Sequence, residues 1–365
     1  MSATIGTSLS LRYGTNPHQV PARIFMADGS PLPLDVLNGA PGYINLLDAL
    51  NSWQLVRDLR AALAVPAAAS FKHVSPAGAA VAVPLSDPLR KAYFTGNDEL
   101  SPLATAYARA RGADRVSSYG DWAALSDTVD VSTARLLRRE VSDGVIAPDY
   151  EPAALEILKA KRGGRYTILQ IDPGYQPAPA EARQVFGITF EQARNTYLPG
   201  DELATLPSES RRDAVVAQLT LKYTQSNSIC LARDGQVIGN GAGQQSRIHC
   251  TRIACDKADL WHLRQHAAVL EHAWPSDRVQ RDNAIDEWVR ALPADAKREW
   301  LQSLTGVTLA SDAFIPFRDN IDRAALSGVR YVIQPGGAQR EDDIKAACAE
   351  HDMTMITTGV RLFHH

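Results

Sequence analysis

Apolar positions recur along the chain at two spacings that alternate from segment to segment. In Ile44 to Leu63 (INLLDALNSWQLVRDLRAAL) they fall at i, i+3 and i+4, which predicts a helix with one buried face. The run AVPAAASF, Ala64 to Phe71, is almost wholly apolar and predicts a buried strand around Ala67 to Phe71. Helices are predicted at Ser101 to Asp114, opened by Ser-Pro, and at Ser132 to Val141, followed by a short strand at Gly144 to Pro148. Glu151 to Gly164 starts with an acid and a proline and ends in basic residues and Gly-Gly, the polarity that a helix dipole and a glycine stop favour. Arg165 to Asp172 predicts another strand.

The theme repeats after a segment rich in Pro, Gln and charge, Pro173 to Pro207, which is expected to connect two halves, 1–195 and 196–365. Arg212 to Tyr223 predicts a helix. Ile229 to Gly243 predicts a β-hairpin turning at Arg233 to Gly235. Ser246 to Ala273 is a long helical pattern with a possible break, and Trp274 to Leu304 is polar, helical and peripheral. From Val307 to Gly359 strand and helix patterns alternate. The expectation is an α/β protein of two similar halves, although no convincing sequence repeat relates them.

A length of 365 residues fits about two domains, and 45% hydrophobic with 22% charged residues supports a large core without disulfides. The net charge of −3 argues against a basic nucleic-acid surface and leaves room for a local phosphate pocket. The four cysteines, Cys230, Cys250, Cys255 and Cys348, form no Cys-x-x-Cys pair. Cys250 and Cys255 are expected on different faces of one helix, a poor metal pair, so reduced and mostly buried thiols of a cytoplasmic protein are expected. The N-terminus has no basic n-region or apolar h-region, and no run approaches the length of a membrane span.

The densest candidate chemistry is SFKHVSPAGAA, Ser70 to Ala80, where Lys72 and His73 stand at the end of the predicted strand. The Ser-Pro-Ala-Gly that follows reads as the start of a helix, with Pro76 at its first position. Such a strand end is where open α/β sheets hold ligands, and a cation beside an imidazole suits proton removal and oxyanion stabilisation. Adjacent strand residues point to opposite faces, so both can serve one site only if the chain leaves strand geometry there. Four further segments are expensive for mere structure: RYGTNPHQ (Arg12 to Gln19), KYTQSNS (Lys222 to Ser228), GAGQQSRIHCTR (Gly241 to Arg252) and SDAFIPFRDNID (Ser311 to Asp322). The third, a glycine-rich loop leading into a helix with Arg247, is the best phosphate candidate. No Walker A or dinucleotide fingerprint occurs in a strand-helix frame. The terminal GVRLFHH is apolar enough to dock, and its two histidines are short for a tag.

Together these segments, with LNGAPGYINLLDALNSWQLV, AYARARGADRVSSYGD and REVSDGVIAP, resemble the AICAR transformylase (phosphoribosylaminoimidazolecarboxamide formyltransferase) domain of the bifunctional purine-biosynthesis enzymes. The likeness runs from Arg12 to the last residue. It implies two cytidine-deaminase-like halves in a three-layer αβα arrangement and a homodimer with active sites at the interface. The implied activity is formyl transfer from 10-formyltetrahydrofolate to the 5-amino group of AICAR. Zinc is not implied, since no His-x-Glu with Pro-Cys-x-x-Cys occurs.

By the same resemblance, His73 is the general base, with Lys72 and Asn227 as its catalytic partners. Arg12, Tyr13, Lys72, His73, Gly120, Asp143, Asn227, Arg247 and Arg361 match nucleotide-side positions. Ile248, Phe314 and Asp319 match folate-side positions, to which Ala338 and Gln339 in the QPGGAQRED turn are added. Thr224, Ser226, Ser228, Asp312 and Leu362 match a structural potassium site. Only eleven residues precede Arg12, which leaves no room for the cyclohydrolase domain of bifunctional members, so a separate cyclohydrolase is expected. Two other functions compete: formyl transfer to a related amino-imidazole nucleotide, and a non-catalytic nucleotide-binding regulator. The presence of Lys72, His73 and Asn227 argues against the latter.

Overall fold

The computed structural model describes residues 6–365. The first elements are strands β1 (Ser8–Leu11), β2 (Ala22–Phe25) and β3 (Leu34–Asn38), then helix α1 (Tyr43–Leu63) and strands β4 (Ala67–Lys72) and β5 (Ser75–Val81). They are followed by α2 (Asp87–Ala92), α3 (Pro102–Gly112), β6 (Asp121–Leu125), α4 (Val131–Arg139), β7 (Ser142–Ala147), α5 (Pro152–Lys159) and β8 (Thr167–Ile171). A hairpin, β9 (Ala180–Val185) and β10 (Ile188–Ala193), precedes α6 (Ser208–Lys222), β11 (Ile229–Arg233), β12 (Gln236–Gly241) and α7 (Arg247–Leu263). The rest is α8 (Ala267–Leu270), α9 (Arg278–Ala291), α10 (Ala294–Leu301), β13 (Val307–Ser311), α11 (Asp319–Ala325), β14 (Val329–Gln334), α12 (Glu341–Glu350) and β15 (Thr354–Thr357).

Eleven strands form one mixed sheet in the order β15-β14-β13-β11-β12-β5-β4-β6-β7-β8-β3. Helices α1 and α6 bury their apolar faces on one side of it, around Trp53, Leu55, Leu59, Val216 and Leu219. Helices α3, α4, α5, α7, α11 and α12 cover the other side, around Tyr107, Leu137, Leu158, Ala254, Ile321 and Ile344. The protein is therefore a three-layer α/β fold. The short apolar α8 and the polar α9 add a small satellite core of Val269, Ile285 and Val289 beside Leu263 at the end of α7.

The topology contains a repeat that the sequence conceals. The run α1-β4-β5-α3-β6-α4-β7-α5-β8 and the run α6-β11-β12-α7-β13-α11-β14-α12-β15 have the same order of elements. In each, a hairpin is followed by an antiparallel neighbour and then two parallel strands. The runs meet where β12 lies antiparallel to β5, with Gln236 opposite Ala80. That antiparallel junction turns β6, β7 and β8 against the direction of β13, β14 and β15. One edge of the sheet thus gathers the amino ends of β6 and β7 and the carboxyl ends of β13 and β14. Both hairpins also press a glycine against a helix backbone. A Cβ on Gly78 of β5 would lie 2.1 Å from the Ala110 carbonyl of α3, and one on Gly239 of β12 would lie 2.0 Å from the Ala254 carbonyl of α7.

One feature corrects an expectation from sequence. Ser-Pro-Ala-Gly does not start a helix; it is the first half of β5. The β4–β5 connection is only His73 and Val74, and the register slips between Ser70 and Phe71, where Phe71 stands opposite Pro76. A bulge tolerates a residue without an N–H, so Pro76 fits the strand there. The Pro173–Pro207 segment, expected to connect the halves, contains a hairpin whose strands β9 and β10 pair along their whole length.

Candidate functional site

Lys72 ends β4 and His73 begins the turn. His73 has φ 52° and Val74 φ 60°, so the chain leaves strand geometry in a two-residue turn of the left-handed kind. This conformation suits Gly or Asn; for a β-branched residue such as Val74 it is an outlier, of order 1–3 kcal/mol in cost. The turn projects His73 to solvent, while Lys72 is half-buried. The Lys72 Nζ donates to the Tyr119 carbonyl, and a Cβ on Gly120 would lie 4.0 Å from that nitrogen. Gly120 itself has φ 73°, which explains the glycine.

Beneath Lys72 lies a buried polar cluster. Ser70 Oγ donates to Asp121 Oδ2 at 2.7 Å, and Arg111 Nη1 pairs with Asp121 Oδ1 at 2.8 Å. Lys161 is buried nearby, and burial pulls its amine down to about 7 against the opposing charge of Asp121. Asp143, at the start of β7, forms an exposed pair with Arg162 at 2.9 Å.

A group that the sequence reading missed stands behind the turn. Asp48, on the buried side of α1, accepts a hydrogen bond from the Val74 N–H at 2.6 Å. Burial pushes its carboxyl up to about 6, with Asp143 and Asp121 adding to the rise and the Val74 N–H and His73 opposing it. The available signal was a charge set among Leu46, Ala49 and Ser52 on the face that α1 buries.

The second cluster is built by the 223–228 and 241–247 loops. Backbone bonds join Asn227 and Gln244 in both directions, and Gln225 accepts from the Gly243 N–H at 2.8 Å. Arg247, at the start of α7, is buried. Its Nη1 bonds the Ser228 carbonyl at 2.8 Å and pairs with Asp312, and its Nη2 donates to Asn227 Oδ1 at 3.0 Å. The guanidinium expected to face a phosphate is thus engaged in holding Asn227. Cys250, one turn along α7, donates its thiol to the Asn227 carbonyl at 3.0 Å, a contact with no signature in sequence. The Ser226–Asn227 peptide is cis.

These clusters touch. The Ser75 Oγ accepts from the Gln225 N–H at 3.5 Å, which joins a residue two past His73 to one two before Asn227. Asn240 Nδ2 bonds both the Pro76 carbonyl, at 2.9 Å, and Thr224 Oγ1, at 3.2 Å. The C-terminal segment docks on the same loop: Ser226 N–H donates to the His364 carbonyl at 3.0 Å, His364 N–H to Ser226 Oγ at 3.1 Å, and Leu362 N–H to the Asp312 carbonyl at 2.8 Å. Leu362 is buried, and Arg361 is exposed with its guanidinium over the Phe363 ring.

The expected folate-side residues flank this edge. Phe314 is exposed in the loop after β13, which Gln334 ties down by accepting from the Ile315 N–H. Asp319 starts α11, Ile248 is half-buried on α7, and Ala338 and Gln339 follow β14. Arg12 and Tyr13 lie just past β1, where the Arg12 guanidinium sits over its neighbour's ring. Among the described residues no hydrogen bond links them to Lys72 or His73. A cavity of about 950 Å³ lies instead at the far ends of β13 and β14, lined by Leu301, Arg323, Leu326 and Arg330.

The family model for the AICARFT/IMPCHase bienzyme matches residues 1–257. The chain is 34% identical over 370 aligned residues to the bifunctional purine biosynthesis protein PurH of Xanthomonas campestris pv. campestris strain 8004, covering 98% of this chain and 58% of that protein. PurH of a second strain of the same pathovar matches to the same degree. The chain thus spans 58% of the length of these curated relatives.

Proposed function

This chain belongs to the AICARFT/IMPCHase bienzyme family, and on that premise we propose that it transfers the formyl group of 10-formyltetrahydrofolate to the 5-amino group of AICAR, giving formyl-AICAR and tetrahydrofolate. The observation that carries the reading is the meeting of the Lys72–His73 turn with the Asn227 loop through Ser75 and Gln225. The 5-amino group is a poor nucleophile, because its lone pair is delocalised into the ring and the carboxamide. His73, exposed on the turn, takes its proton as it attacks the formyl carbon. Lys72 meets the oxyanion that develops there and can return a proton to the departing N10. Asn227, fixed by Arg247 and Cys250, orients the amide of the acceptor.

Arg12, Tyr13, Gly120, Asp143 and Arg361 are assigned to the nucleotide. Ile248, Phe314, Asp319, Ala338 and Gln339 are assigned to the folate. We further assign the two halves to residues 1–195 and 196–365, on the repeated order of elements, and the assembly to a homodimer whose second subunit completes the site. The exposed Val185, Phe186, Ile188 and Phe190 of the β9–β10 hairpin support a shared interface.

Thr224, Ser226, Ser228, Asp312 and Leu362 offer a potassium ion oxygen donors of the hard kind. Three of them already adjoin: Ser228 N–H and Oγ both lie 3.0 Å from Asp312 Oδ2, and Leu362 bonds the Asp312 backbone. The buried Asn240 Oδ1 beside Thr224 has no hydrogen-bond partner, which also fits a cation. Such an ion would brace the Asn227 loop.

The deciding test is a spectrophotometric assay of tetrahydrofolate release from AICAR and 10-formyltetrahydrofolate, with the Lys72→Ala/His73→Ala double variant as control. Turnover lost in the double variant supports the proposal. A folded protein that binds AICAR without turnover refutes it.

A further inference from the structure

The two hairpins provide an internal comparison. In the second run, Asp213 on α6 accepts from the Asp234 N–H at 2.9 Å and from the Gly235 N–H at 2.7 Å. These turn residues have φ 52° and 75°. In the first run, Asp48 on α1 accepts from the Val74 N–H at 2.6 Å, and His73 and Val74 have φ 52° and 60°. A carboxylate on the preceding long helix therefore holds a left-handed turn in both. Asp-Gly adopts such a turn readily, and His-Val does not. The same device is applied in the first run to a turn that its own residues disfavour, and that turn carries the imidazole.

We propose that Asp48 is the positioning residue for His73: by holding the Val74 amide it fixes the strained turn, and its carboxylate sets the direction and electrostatic surroundings of the imidazole. The groups facing it are His73 and the Val74 N–H from the β4–β5 turn, Asp121 from β6 and Asp143 from β7. Asp121 is paired with Arg111, and Asp143 with Arg162. The Val74 N–H and His73 gain from a negative Asp48, and His73 is the one titratable group among them that does. Protonation of Asp48 removes that charge and weakens its hold on the amide, since a neutral acceptor makes the weaker hydrogen bond. The role in turnover rests on the formyl-transfer reading; the role in the turn does not.

The test compares wild type with Asp48→Asn, Asp48→Ala and, as a control for lost turn support alone, Asp213→Ala. In the free protein, the Val74 amide resonance followed by NMR against pH titrates near 6 in wild type and is flat in Asp48→Asn. In the formyl-transfer assay, Asp48→Asn lowers kcat above pH 6, where wild-type Asp48 carries its charge, with little change in KM for AICAR. Asp48→Ala lowers kcat by about a hundredfold with little change in KM for AICAR, as misplacement of a reacting group does. Asp213→Ala lowers the melting temperature and leaves the pH profile intact. A Val74 amide that ignores both Asp48 substitutions, or Asp48 variants with wild-type kcat across the pH range, overturns the proposal. Absent turnover in wild type with a Val74 amide that titrates and loosens in Asp48→Ala refutes formyl transfer and leaves the positioning role standing.

Discussion

His73 stands in solvent on two residues of strained backbone, which makes its chemistry separable from the core. His73→Ala removes no buried contact, so the expected result is kcat lower by about 10²–10⁴-fold with AICAR affinity nearly unchanged by calorimetry. A variant that turns over normally would remove the base from the assignment. Asp48 is the opposite kind of residue. Its carboxyl holds a proton up to about 6 in the folded chain against an ordinary value of 3.8, so the folded state binds that proton the more tightly. Its stabilising effect is complete below pH 3.8 and is lost as pH rises through 6. Asp48→Asn should therefore unfold later than wild type at pH 8, by at most about 3 kcal/mol in urea titrations, and show no such gain at pH 3.5. A charge that costs stability near neutral pH is consistent with a positioning role behind the turn that carries His73.

Among the elements, the repeated use of close helix–strand contact has a measurable consequence. Gly239→Ala would drive a methyl group into the Ala254 carbonyl, and neither backbone can retreat without opening the sheet. We expect a loss of about 1–3 kcal/mol or more in denaturant unfolding, with Gly78→Ala in β5 behaving alike. The elements themselves were largely legible. The 3.6-residue pattern of α1 and α6 and the Asp-Gly turn of β11–β12 are local signals that tertiary structure does not override. The β4–β5 hairpin was not legible, because Ser-Pro is equally a helix start and its competitor depends on a carboxylate 26 residues upstream. The β9–β10 hairpin escaped for another reason: its brief alternations, Ala180 to Arg183 and Ile188 to Glu191, lie in a stretch rich in Pro, Gln and charge, and both strands are exposed, so no core packing reinforces them. Lys72, His73 and Asn227 stood out by residue type. Asp48 and Cys250 did not, since their roles arise only when α1 and α7 are laid against loops distant in sequence.

At the scale of the molecule, the open edge where both clusters meet and the bare apolar hairpin point to a site completed by association. Sedimentation should give about twice the chain mass of 39.6 kDa at micromolar concentration. Phe186→Asp, at a fully exposed position, should shift the boundary toward the monomer and lower kcat/KM in proportion. A wild-type monomer with full activity would exclude the shared site. The repeat has one further consequence. Because the twofold relation sends the second hairpin to the opposite edge, the fold carries a second copy of the mount that holds His73: the same helix-borne carboxylate and the same left-handed turn, fitted with Asp234 and Gly235 in place of His73 and Val74. For protein engineering this is a second socket with the geometry of the first, into which a Lys-His pair could be grafted beside the native one.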